Sequence, residues 1–101
     1  MKTNLGINKI IEYPKQGIIS KQIEDFGEKL EATLFCMAKG TKIGKHTSTR
    51  EGIVYILEGN GIFNLQGKDI KMEKGVLISM KKNAVHSLSA KENTSFLLIL
   101  S

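Results

Sequence analysis

Apolar residues in this chain recur at every second position over short stretches that glycine interrupts, a pattern that predicts strands rather than helices. In residues 30–38, Leu30, Ala32, Leu34, Cys36 and Ala38 fall on one face and Phe35 and Met37 on the other, so both faces are expected to be covered. Gly40, Gly44, Gly52, Gly59, Gly61, Gly67 and Gly75 then divide the chain at intervals no helix accommodates. Between them lie segments 53–57, 62–66, 69–73, 76–80, 85–90 and 95–100, mostly rich in β-branched or aromatic residues. In the segment 69–73, Ile70 and Met72 alternate with Asp69, Lys71 and Glu73, as in a strand with one wet face. Glu58-Gly59-Asn60-Gly61 and Gln66-Gly67-Lys68 carry the residues of hairpin turns.

The N-terminal stretch is expected to stand apart. Ile7, Ile10 and Ile11 fit a short helix or an edge strand before Pro14, and Ile18, Ile19 and Ile23 fit a strand pairing outside the main body. About nine short strands joined by tight turns make an all-β sandwich or small barrel. The expected division is an arm over residues 1–29, packing on the barrel or on a dimer partner, and a barrel over 30–101.

Length and composition narrow the class of protein. A chain of 101 residues forms one domain, and 41% hydrophobic with 25% charged residues is the balance of a soluble globular protein. The longest nearly continuous apolar stretches, 52–57 and 96–100, fall far short of a bilayer crossing of about 20 residues, so no membrane partner is expected. The first residues lack the apolar run of a signal peptide, which points to an intracellular, cytoplasmic location. The single cysteine, Cys36, has no partner for an internal disulfide and reads as a small buried apolar residue.

The net charge is +5, from fifteen basic and ten acidic residues. Lysines are interspersed with acids, apart from Lys39, Lys42 and Lys45, which precede His46 and could draw an anionic ligand toward a pocket. Nucleic acid is not an expected partner, since Arg50 is the one arginine and no basic-aromatic motif is present.

The candidate chemistry centres on the two histidines. The stretch from Gly40 to Gly59 reads G-x5-His46-x-Ser48-x3-Gly52-x6-G, and that from Gly75 to Ala90 reads G-x5-Lys81-x-Asn83-x2-His86-x3-Ala90, with fifteen residues between them. This spacing resembles the two signatures of the cupin superfamily, G-x5-H-x-H-x(3,4)-E-x6-G and G-x5-P-x-G-x2-H-x3-N, over roughly residues 30–100. The resemblance implies a cupin-type double-stranded β-helix, or jelly-roll barrel. It also implies a divalent transition metal inside the barrel (Zn, Ni, Fe or Mn), held by three histidines and a glutamate.

The metal slots map onto His46, Ser48, Gly52 and His86, so the second histidine and the glutamate are replaced. The second signature's proline, glycine and asparagine fall on Lys81, Asn83 and Ala90. Glu51 lies one residue before the carboxylate slot, and an extended strand points it to the opposite face unless a bulge intervenes. Its expected place is the surface, near Arg50. His46 and His86 are expected to face each other in one cavity with Ser48, and Met80 is placed to line its mouth. Tyr55, Phe63, Met37 and Met72 read as packing residues.

Three functions fit this pattern. The first is a barrel binding a small, anionic molecule in its cavity, with or without a metal on His46 and His86. The second is a metal-dependent isomerase, dioxygenase or decarboxylase. The third is a regulatory module acting through a partner, as no helix-turn-helix pattern follows Ser101. A homodimer through the N-terminal strands is the oligomer the resemblance implies.

Overall fold

A computed structural model describes residues 3–24 and 29–101. A 3-10 turn at Ile7–Lys9 precedes β1 (Ile18–Ile23), β2 (Glu31–Met37), β3 (Lys42–His46), β4 (Gly52–Glu58) and β5 (Gly61–Leu65). β6 (Lys68–Met72), β7 (Leu77–Met80), β8 (His86–Ala90) and β9 (Thr94–Leu100) complete the order. All pairings are antiparallel, in a five-stranded sheet β1-β2-β9-β4-β7 and a four-stranded sheet β3-β8-β5-β6. β2 pairs with β9, β3 with β8, β4 with β7 and β5 with β6, so the chain is a long hairpin rolled into a jelly roll.

The innermost turn of that roll is Gln66-Gly67, where both residues take positive φ (52° and 85°). This is the geometry of a two-residue turn matched to strand twist. The second expected hairpin does not form. Glu58 ends β4 in one sheet and Gly61 begins β5 in the other, so this segment is a corner between sheets. Gly59 turns it with φ 123° and packs so closely on Thr94 that a Cβ would overlap that residue. Glycine and asparagine serve both kinds of turn, which is why sequence alone does not separate them.

Facing side chains of the two sheets form the core: Met37, Val54, Ile56, Phe63, Met72 and Phe96, with Ile78, Met80, Leu88 and Ala90 around them. Large apolar side chains of this kind each contribute about 1.5–3 kcal/mol when removed from water. Leu34 and Cys36 are also wholly buried, yet they alternate with the inward Phe35 and Met37 and so lie on the outer face of β2. The N-terminal arm and β1 cover that face. The Gly17 carbonyl accepts from the Ala38 amide, and Lys21 Nζ donates to the Ile10 carbonyl and to Glu12. The same ammonium holds the Glu12 carboxyl below its ordinary pKa.

The arm thus packs on its own barrel. Its strand β1 leaves one large apolar side chain exposed, Ile18, whereas Ile53 and Tyr55 on β4 and Leu77 on β7 are exposed at the far side of the sheet. Arg50 ties down the other end of the chain by pairing with Glu31 and donating to the carbonyls of Leu100 and Ser101. Its carboxylate partner is therefore Glu31 and not the neighbouring Glu51.

Tyr13 fastens the arm to the barrel. Its hydroxyl donates to Glu58 Oε2 (2.7 Å) and lies 3.0 Å from Ser95 Oγ. Burial, reinforced by the Glu58 carboxylate, pushes its pKa up to about 12. The folded protein therefore keeps this proton where the unfolded chain, with a phenol near pH 10, has lost it. The stability this confers is complete below pH 10 and is lost as pH rises toward about 12. Tyr13→Phe is expected to cost about 1–2 kcal/mol at neutral pH through lost hydrogen bonds. It should also flatten the alkaline fall in denaturation midpoint between pH 10 and 12, which chemical denaturation across that range measures.

Candidate functional site

β3 runs in regular register with β8 from Lys42↔Ser89 to Ile43↔Leu88, and then His46 pairs with His86. Three steps along β3 match two along β8, so β3 carries one extra residue at Gly44-Lys45. A regular ladder would bring Lys45 opposite His86. The bulge turns Lys45 outward and gives His46 the inward place, leaving the two imidazoles with ring centroids 4.0 Å apart and planes at 60°. His46 sits at the exposed mouth and His86 is buried behind it, with Phe63 stacked on the His86 ring at 5.6 Å.

The two rings are held the same way. His46 Nδ1 lies 2.9 Å from the Gly44 carbonyl, and His86 Nδ1 lies 3.0 Å from that of Ala84. A carbonyl only accepts, so each Nδ1 carries a hydrogen, and the tautomer this selects has its lone pair on Nε2. Burial holds the His86 pKa below the ordinary 6.5, the Ala84 carbonyl opposes that shift, and His46 adds slightly to it. At neutral pH His86 is therefore an unprotonated ring with a free Nε2.

A cavity of about 70 Å³ opens beside the pair, lined by His46, His86, Met80 and apolar residues that include Phe35, Phe63 and Phe96. It has room for a few water molecules. Organic-ligand pockets are typically about 300 Å³ and larger. The space beside the histidines is smaller than such a pocket. Phe35, Phe63 and Phe96 take up much of the interior around it.

Ser48 does not line this cavity. Its hydroxyl donates to the Arg50 carbonyl and accepts from the Arg50 amide, a local turn that uses both of its roles. Lys42 and Lys45 also stand elsewhere, on a groove of about 540 Å³ across the outer face of the four-stranded sheet, while Lys39 lies near Glu92. The lysine cluster therefore does not flank the histidines. In the second signature, Asn83 takes positive φ (67°) in the turn before β8, the conformation that glycine would supply there.

The carboxylate slot is closed by packing. A Cβ on Gly52 would lie 2.6 Å from the Ile99 carbonyl oxygen and 2.7 Å from Leu100 Cδ2. Glu51 is exposed, its carbonyl accepts from the Ser101 amide, and β4 pairs in regular register with β9 from Gly52 to Ile56, so no bulge at Gly52 turns Glu51 inward. Among the described residues no group of three His, Cys, Asp or Glu side chains is placed to hold a metal. The side chains with metal-ligating nitrogens at this place are therefore the two imidazoles, with no carboxylate beside them.

These contacts separate two glycines. Gly52→Ala should lower stability by about 1–3 kcal/mol, the usual cost of overpacking against backbone. Gly44→Ala, whose new Cβ meets nothing within 4 Å, should stay within about 0.5 kcal/mol of the parent. Urea denaturation of the two variants checks the contrast.

Comparison with known proteins follows the same lines. The sequence matches the Cupin domain family over residues 33–100. No curated protein matches it. A structure of a protein of unknown function from Streptococcus pyogenes is similar over 99% of this chain and 87% of its own, with 24% identity and a TM-score of 0.83. A cupin superfamily protein from Desulfitobacterium hafniense is similar over 99% and 91%, with 16% identity and a TM-score of 0.84. A G106A mutant of salicylate 1,2-dioxygenase from Pseudoaminobacter salicylatoxidans has 18% identity and a TM-score of 0.78. That match covers 83% of this chain but 26% of the dioxygenase, and at such identities these likenesses show a shared fold alone. With more than half of its length matched by the family and its strands in jelly-roll order, the chain belongs to the cupin family.

Proposed function

We propose that this cupin is a metal-assisted binding protein, in which His46 and His86 hold one transition-metal ion through their Nε2 atoms at the barrel mouth. A small oxygen-bearing molecule, such as a carboxylate, docks from the solvent side. The observation that carries this reading is the matched pair of Nδ1–carbonyl contacts, which leaves both Nε2 atoms as the free nitrogens of rings 4.0 Å apart. Metal-ligating histidines are commonly fixed in this way, because a bonded Nδ1 sets the ring's orientation and tautomer.

Binding is placed ahead of catalysis because two imidazoles alone leave most of an ion's positions open, and no general acid or base lines the cavity beside them. The bound ion would supply Lewis acidity to whatever oxygen it holds. His86 gives the site depth and a neutral donor; His46, at the rim, meets the incoming molecule. The metal-dependent enzyme is the alternative, and turnover of the docked molecule would favour it.

Elemental analysis after equilibration with Ni(II), Co(II), Zn(II) or copper should give one ion per chain. His46→Ala and His86→Ala should each lower affinity at least about tenfold, since each removes one of the two imidazoles. Calorimetry with small carboxylates should show binding to the Ni(II)- or Zn(II)-loaded protein and little to the metal-free one. Full folding with no ion retained by the parent protein would overturn the proposal.

A further inference from the structure

We infer that the site is built for a soft, monovalent ion, with Met80 as the third donor and Cu(I) as the ion it prefers. This rests on the proposal that the histidine pair binds metal. Among the ten side chains lining the cavity, His46, His86 and Met80 alone carry atoms able to ligate a metal, and the other seven are hydrocarbon. Met80 is buried on β7 and is the direct cross-strand partner of Gly52. Side chains directly opposite on an antiparallel pair share a face. The Met80 side chain thus springs from the position beside the one from which a glutamate would have projected, and Gly52 offers no side chain of its own.

Two physical arguments favour Cu(I) in such a site. The first is donor type. Imidazole and thioether suit Cu(I), whereas Mg, Ca and Mn favour carboxylate, carbonyl and water oxygens. Each oxygen source nearby is engaged or directed elsewhere: the Ser48 hydroxyl is used within its own turn, and Glu51 is on the outside.

The second argument is charge. No anionic side chain lines the cavity to neutralise the ion, and the Born cost of a charge that the protein leaves uncompensated in apolar surroundings grows with its square. A divalent ion would therefore meet about four times the penalty of a monovalent one. A cavity of about 70 Å³ also leaves little room for the water shell a hard ion retains. Cys36, the other soft donor, is on the outer face of β2 and takes no part.

The test is anaerobic titration of the whole protein against the chromophoric Cu(I) chelator bicinchoninate, in ascorbate and without thiols. The parent should withdraw one equivalent of Cu(I) and prefer it over Ni(II) and Zn(II) in direct competition. X-ray absorption at the copper edge should show one sulfur scatterer alongside nitrogen. Met80→Leu should weaken Cu(I) binding at least about tenfold, remove the sulfur scatterer and narrow the preference for Cu(I) over Ni(II).

The absorption spectrum of the parent protein decides the ligand even if that variant folds poorly. A nitrogen-only copper shell, or tighter binding of Zn(II) than of Cu(I), would overturn the Met80 assignment while leaving the histidine site standing. If no ion of either class binds, the metal reading falls as well, and the inference with it.

Discussion

Antiparallel pairing sends alternate side chains to opposite faces of a sheet, so the extra residue that β3 inserts between Ile43 and His46 decides what enters the barrel. In an unbroken ladder the ammonium of Lys45 would be driven into an apolar cavity, at a cost of several kcal/mol without a partner. With the extra residue the lysine is solvated, Ile43 keeps its place against the core, and an imidazole closes the mouth. The same segment also sets the chemistry of the ring. The Gly44 carbonyl holds His46 Nδ1, as the Ala84 carbonyl holds His86 Nδ1 just before β8. Position, tautomer and pairing of the two histidines therefore follow from local backbone geometry, with no carboxylate needed to orient either ring.

Much of the barrel could be read from alternation. β2, β4, β5, β6, β8 and β9 lie where apolar residues recur at a spacing of two, because one face of each packs on the core. β3 does not show itself in this way: Lys-Ile-Gly-Lys-His presents one aliphatic side chain to the interior. It was legible only as part of a spacing motif. The corner at Glu58–Gly61 looks like a hairpin in the sequence because Gly-Asn-Gly serves any abrupt change of direction, and only the partners of β4 and β5 tell them apart.

The site was legible to a similar degree. The resemblance to the two cupin signatures is what pairs His46 with His86, since each occupies a histidine position of one signature. Ser48 is expected in the same region from its slot in the first signature and the lysines from their place just before His46, and a turn and a bulge redirect both. Ser48 is consumed by Arg50, and Lys42 and Lys45 face the outside of the sheet. The close approach of β9 to Gly52 had no signal in the local sequence. It arises between residues nearly fifty positions apart, where the Ile99 carbonyl and the Leu100 side chain occupy the space of a Cβ.

That contact shows why core and site are one problem in this protein. Gly52 pairs with Leu100 on one side and Met80 on the other, so β4 at this level is fixed from both neighbours at once. A carboxylate could enter only by displacing β9, the strand that also joins β2 and β4 in a single sheet. Close packing makes such a displacement costly throughout the sheet, as interiors at crystal-like density transmit strain rather than absorb it. The interior is thereby kept apolar up to the plane of the histidines, with Phe63 stacked on His86 and Met80 beside them. Polar chemistry is confined to the outermost layer, where a buried neutral imidazole backs an exposed one. In this barrel the packing that stabilises the fold also restricts the donors available to an ion to nitrogen and sulfur.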